Sequence, residues 1–261
     1  MIKRLILVCM VVLLSAPFAS AQLWKMKRYE VTGGLGSSQF YGDIGGYSLG
    51  DNVLGIRDIT FKQTRFSVNG SFRYFFTDNI TARLSLTYIM LHATDMRGSN
   101  EDTRQYESST SLFEPALVGE YYFVRNRERN SFLFQTYRSV SRKKISVSGF
   151  LRSLDVYVVA GLGGAGYNVF KANDRLEEKW ASDPSLKTSG FTAVIPAGAG
   201  VKLAIDPNIL IGVELLARFA FSDYLDGYTS QWSQRNDVYH TFNVTFNYRI
   251  KTARNGLPSF R

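Results

Sequence analysis

Over most of the chain, apolar and polar residues alternate with a period of two. From Arg65 to Phe76 one parity holds Phe66, Val68, Gly70, Phe72, Tyr74 and Phe76, while the other holds Arg65, Ser67, Asn69, Ser71 and Arg73. That is a strand with one apolar and one wet face. After the turn Thr77-Asp78-Asn79 the alternation resumes, with Ile80, Ala82, Leu84, Leu86, Tyr88 and Met90 against Thr81, Arg83, Ser85 and Thr87. The two segments predict a long hairpin. Val238 to Ile250 repeats the pattern, and weaker versions run through Tyr29 to Phe40, Leu112 to Phe123, Leu154 to Tyr167, Gly190 to Ile205 and Ile209 to Ser222. The stretch after Asp206-Pro207, with Glu214 and Arg218 four apart, also fits an amphipathic helix. A strand is preferred because Ile209, Ile211, Val213, Leu215, Ala217, Phe219 and Phe221 keep one parity.

Strand length and loop asymmetry separate a soluble sandwich from a membrane barrel. The runs are about 11 to 16 residues, longer than ordinary globular strands and long enough for a tilted strand to cross lipid. Long polar connections near 41–63, 94–110, 171–188 and 223–237 alternate with short turns at 77–79 and 206–208, as in barrels with long outer loops and short periplasmic turns. A sheet crosses lipid only when it closes on itself and pairs every amide. The expected fold is therefore all-β, an eight-stranded antiparallel up-and-down transmembrane β-barrel. Pro115 and Pro196 fall inside proposed strands and predict a bulge or a frayed end, since neither can donate a ladder hydrogen bond.

On this reading the interior parity holds Arg65, Arg73, Arg83, Glu114, Glu120, Asp155, Lys202, Glu214, Arg218 and Arg249. Ion pairs that satisfy buried polar groups are preferred to a charged conduit, because eight strands enclose room for side chains and no wide pore. Tyr74, Phe75, Phe76, Tyr121, Tyr122, Phe123 and Tyr248, at strand ends, suit interfacial girdles.

Composition narrows the class. The 261 residues are 45% hydrophobic and 14% aromatic with one cysteine, which excludes disordered, collagen-like and disulfide-stapled chains. No stretch beyond the first two dozen residues approaches the roughly 18 consecutive apolar residues of a spanning helix, and 22 glycines argue against a helical bundle. Lys3 and Arg4, the apolar run Leu5 to Leu14, and Ala19-Ser20-Ala21 read as a secretory signal peptide. The expected organisation is a cleaved segment over 1–21, an outer-membrane barrel over 22–250 and a periplasmic tail over 251–261. Cys9 lies within the signal core, so the mature chain has no thiol chemistry. Removing Lys3 and Arg4 takes the formal charge from +9 to about +7. In an exported protein that excess favours anionic lipid or protein surfaces over nucleic acid.

Motifs of chemistry are sparse, and neither cofactor nor metal is expected. Gly161, Gly163 and Gly166 in GLGGAG spell a dinucleotide fingerprint, but Asn168 to Trp180 gives only a weak helix, and glycine here serves strand curvature and crowding. The two histidines, His92 and His240, sit on the lipid-facing parity near outer strand ends, which raises a lipid-modifying hydrolase. Small barrels that deacylate outer-membrane lipid carry a His-x-Ser pair on one strand. Here His92 is followed by Ala93-Thr94 and His240 by Thr241-Phe242, so plain interfacial histidines are the preferred reading. No HExxH spacing occurs, and the acidic pairs Glu101-Asp102 and Glu177-Glu178 read as solvated loop charge.

The connection from Arg125 to Arg152 breaks the loop rule. Counting strands from a periplasmic N-terminus places it on the inner side, where turns are short, yet it runs about 25 residues. It carries Arg125, Arg127, Arg129, Arg138, Arg142, Lys143, Lys144 and Arg152 against Glu128 alone, interleaved with Phe132, Phe134 and Tyr137. A basic, aromatic periplasmic surface suits a protein partner first and anionic headgroups second.

Gly33-Gly34-Leu35-Gly36 leading into Tyr41-Gly42-Asp43-Ile44-Gly45, Ile195-Pro196-Ala197-Gly198-Ala199-Gly200-Val201-Lys202, and Phe221-Ser222-Asp223-Tyr224-Leu225-Asp226 resemble the PorG-like outer-membrane barrel family of Bacteroidetes, which includes the small barrel of the type IX secretion machinery. The resemblance implies a non-enzymatic eight-stranded barrel in the Gram-negative outer membrane that anchors a periplasmic ring, built from a lipoprotein and its partner. Where family members usually continue with a second acidic residue and valine, this chain has Gly227-Tyr228, which leaves room for a paralogue serving another complex. The expected function is a scaffold contacting outer-membrane lipid and a periplasmic protein or lipoprotein ring. The alternatives are a narrow passive channel or a lipid-modifying enzyme.

Overall fold

The computed structural model describes residues 27–44, 61–95, 105–125, 153–229, 236–253 and 255–259. The proposed signal segment and most of the basic inner connection lie outside the described residues. Alternating segments become strands β1 (Tyr29–Tyr41), β2 (Arg65–Phe75), β3 (Ile80–Thr94), β4 (Glu107–Val124), β5 (Leu154–Ala172), β6 (Ser189–Ala204), β7 (Ile209–Ala220) and β8 (Val238–Thr252). Each pairs antiparallel with the next, and β1 returns to pair with β8 from Tyr29 opposite Ile250 to Tyr41 opposite Val238. The sheet is a closed eight-stranded up-and-down antiparallel barrel. A two-residue strand, β9 (Pro258–Ser259), folds back on the end of β8.

The burial pattern is inverted relative to a soluble protein. Leu117 and Leu162 on the outer face are 64% and 69% exposed, whereas Glu30, Arg73 and Lys202 on the inner face are 0% exposed. Water does not support a continuous apolar belt of this kind, but lipid does, because a closed ladder leaves no strand edge unpaired along the wall. At one end the belt is edged by aromatic rings, with Tyr74 against Phe76 and Tyr121 against Phe123, each pair about edge-on at 5.0 Å. That end also holds the short turns 76–79 and 205–208, so it is the inner end.

Neither proline makes a bulge. Pro115 lies opposite Leu86 on β3, and Pro196 lies opposite Arg218 on β7. On the other side of each, the ladder to β5 skips a few residues and then resumes in the same register. A strand residue donates its N–H to only one neighbour, so a proline costs one bond on one side and does not shift the pairing. Both gaps face the glycine-rich stretch of β5. A Cβ on Gly161 would stand 2.4 Å from the Leu117 carbonyl oxygen, and one on Gly163 would stand 2.8 Å from that of Pro115. These glycines permit close strand approach inside a sheet; the GLGGAG run contains no strand-to-helix turn. The real irregularities in β4 lie between Ser109 and Thr110 and between Tyr122 and Val124.

Of the segment expected as a weak helix, Asn168 to Ala172 completes β5. The helix α1 (Asp174–Ser182) begins only where the Asn173 side chain accepts the Leu176 N–H. It drops Leu176 into an apolar plug at the outer end, with Phe40, Ile44, Leu91, Leu112, Tyr167, Leu225 and Tyr239. The Trp180 indole N–H donates to the Gly227 carbonyl at 2.8 Å and ties α1 to the last outer connection.

Candidate functional site

Below the outer plug, inward positions of all eight strands converge on a network of buried charges. Glu30 on β1 is its hub: it takes Lys202 Nζ at 2.6 Å, Arg73 Nη1 at 3.2 Å and Arg249 Nε at 3.4 Å. Arg73 Nε reaches Glu120 at 2.9 Å, and Arg83 bridges Glu214 at 2.5 Å and Glu120 at 3.2 Å. Arg249 closes on Asp155 at 2.5 Å. The hydroxyls of Tyr122 and Tyr157 donate to Glu120 and Glu214 at 2.9 and 2.8 Å. Nearer the outer end, Arg218 and Glu114 pair at 2.8 Å, and the Tyr239 hydroxyl donates to Glu114 at 2.6 Å. In the main network four cations, Arg73, Arg83, Lys202 and Arg249, face four acids, Glu30, Glu120, Asp155 and Glu214. Each charge loses several kcal/mol of hydration here, so pairing is obligatory.

The inner mouth is closed by rings. Tyr122 and Tyr157 stack at 5.0 Å, and Phe75 leans on Tyr122 at 5.8 Å. The Arg125 guanidinium lies over Phe75 at 4.4 Å from its centroid and bonds the Thr77 carbonyl. Phe75 and Tyr122, expected in the girdle, are fully buried in the lumen because they share parity with Arg73 and Glu120; Tyr74, Phe76, Tyr121, Phe123 and Tyr248 face outward.

Of the charges expected inside, the structure buries Arg73, Arg83, Glu114, Glu120, Asp155, Lys202, Glu214, Arg218 and Arg249 in the lumen. Arg65 stands apart: it is the first residue of β2, beyond the filled lumen, and its guanidinium bonds the Lys62 and Thr64 carbonyls at 2.9 Å. The hub Glu30 escapes the sequence reading because β1 is rich in glycine and serine, which blurs its parity; the one signal is its place two residues before Thr32 on the wet side. Of the basic docking set, Arg125 is folded over the mouth, while Arg127, Arg129, Arg138, Arg142, Lys143 and Lys144 lie outside the described residues.

At the outer end the connections are cross-linked by acids. Asp226 accepts the N–H groups of Ile44 and Tyr228, each at 3.0 Å, and Asp237 accepts that of Leu225 at 2.8 Å. Burial, together with the charges of Asp43 and Asp223, pushes the Asp226 carboxyl up to about 8; burial and Asp226 push Asp237 up as well. No group of three or more His, Cys, Asp or Glu among the described residues is placed to hold a metal ion.

No family model matches the chain, and no curated protein matches its sequence. Similar solved structures include Neisserial surface protein A (10% identity, TM-score 0.43, covering 86% of this chain and 97% of that one). Others are Ail, the attachment invasion locus protein of Yersinia pestis (14%, 0.38, 85% and 99%), and the outer membrane protein OprG from Pseudomonas aeruginosa (12%, 0.37, 84% and 94%). Likenesses this distant say nothing of function, and the barrel rests on its own closed ladder.

Proposed function

We propose that the chain is an outer-membrane scaffold: a sealed barrel that anchors a periplasmic protein assembly, of the type IX secretion kind or a paralogous one, through the basic connection after β4. The observation that supports anchoring over transport is the filled lumen. Among the described residues, an apolar plug, a charge-balanced ion-pair network and an aromatic lid follow one another along the axis. A body so rigidly filled suits a fixed mount. The docking surface is proposed from the length and charge of 125–152, with Arg142, Lys143 and Lys144 at its centre and Arg125 as the residue that fixes its point of departure on the barrel.

Crosslinking in intact cells, followed by mass spectrometry of what adheres to the periplasmic face, tests this reading. Reversal of Arg142, Lys143 and Lys144 to glutamate is expected to release the co-purifying partner while the barrel stays folded. An unchanged pull-down from the reversed protein rejects the docking role.

A further inference from the structure

One group of side chains outside the lumen is arranged for chemistry. His92 on β3 lies directly opposite Ser109 on β4, and Thr94 lies opposite Glu107. His92, Ser109 and Glu107 share the outward parity of Leu84 and Leu86 on β3 and Phe113 and Leu117 on β4, at the outer ends of both strands. The Ser109 hydroxyl is 3.0 Å from Nδ1 of His92, and Glu107 Oε1 is 3.6 Å from Nε2 on the other side of the ring. In the tautomer protonated at Nε2, on the side of Glu107, Nδ1 is the atom that accepts from the serine. This is a nucleophile, a base and an orienting acid in sequence, recognised by geometry whatever the chain order.

Two more features single the place out. The β4 ladder to β5 slips between Ser109 and Thr110, so that Ser109 faces Lys171 while Thr110 faces Val169. Bulges re-aim side chains and gather beside active sites. Lys171 and Arg65 are also near enough for their charge to act on His92. His92 and Ser109 are themselves buried, 7% and 9% exposed, while Glu107 keeps an exposed edge and Phe61, two residues from Gln63, whose side chain reaches the Thr94 carbonyl at 3.5 Å, is 94% exposed.

We propose that Ser109, His92 and Glu107 form an esterase site on the outer rim, for the acyl ester of an anionic lipid. His92 takes the Ser109 proton as Oγ attacks the acyl carbonyl carbon. Lys171 faces the oxyanion that develops. Collapse breaks the ester C–O bond, and His92 protonates the departing alkoxide. Water, deprotonated by His92, then releases the fatty acid and restores Ser109. Arg65 and Lys171 hold the anionic headgroup while Phe61 rests among acyl chains.

The purified full-length protein in detergent micelles is the material for the test, with a fluorophosphonate reporter and a medium-chain p-nitrophenyl ester as probes. The expected result is covalent labelling at Ser109 and ester hydrolysis. Ser109→Ala should abolish labelling and lower the rate at least about a hundredfold, and His92→Gln should lower it comparably. Glu107→Gln should reduce kcat about tenfold with KM unchanged, a split that a merely structural role does not produce. The gel mobility of the unheated barrel reports folding of each variant. If the folded wild type neither labels nor hydrolyses, or if folded Ser109→Ala keeps its rate, the site is not an esterase. Periplasmic crosslinking reads the opposite face, so the scaffold reading stands or falls separately.

Discussion

Glu30 touches three cations from three different strands; Arg73 and Arg249 each also pair with a second acid, Glu120 and Asp155, whereas the ion pair of Lys202 is with Glu30. Glu30→Gln should therefore cost about 3 to 5 kcal/mol, because a buried excess of positive charge remains. Denaturant unfolding in detergent measures this. Replacing both members of an isolated pair should cost far less: Glu114→Gln with Arg218→Met keeps an acceptor for Tyr239 and removes both charges together. If the double variant is as unstable as Glu30→Gln, pairing does not explain the network. At the outer end the sign is reversed. The folded state keeps a proton on Asp226 up to about pH 8, whereas an unfolded aspartate loses it near 3.8. Its contribution to closing the outer connections is complete below the lower value and is lost as pH rises through about 8. Clipping of the segment around Asp226 by a protease should accelerate as pH rises from about 4 to about 8 and level off above that, and Asp226→Asn should flatten the rise.

At the scale of strands, the glycines of β5 are where backbones come closest. Gly161→Val puts branched carbon against the Leu117 carbonyl and cannot relax by turning a side chain, so a loss of about 2 kcal/mol or more is expected. Gly33→Ala, where a Cβ meets nothing within 4 Å, should be nearly silent. Unfolding midpoints of the two variants decide the point. Strand existence, hairpin order and the identity of nine of the lumen charges are legible in the sequence, because parity is read within one strand. Register is not. Phe75 and Tyr122 were expected in the girdle by composition, although their parity with Arg73 and Glu120 already placed them inside. The contact of His92 with Ser109 joins residues 17 apart that meet only once β3 and β4 are aligned. Pro115 and Pro196 leave the register unshifted because each missing N–H concerns one neighbour and not two.

Taken whole, the molecule is a filled cylinder, and planar bilayers containing it should show no unitary conductance steps. A regular train of openings would mean that the lumen rearranges and that passage belongs to the function. The way the cylinder closes has its own consequence. Tyr29 near one end of the chain lies against Ile250 near the other, so the final joint unites the most distant partners in the sequence. Such a joint is slow to form and carries the largest entropic cost. Until the last strand has arrived, the greasy outer belt has no finished wall to belong to. A copy that lacks its closing joint is therefore an unlocked ribbon with its apolar face unsealed, and a chain clipped before β8 has nothing with which to fasten itself.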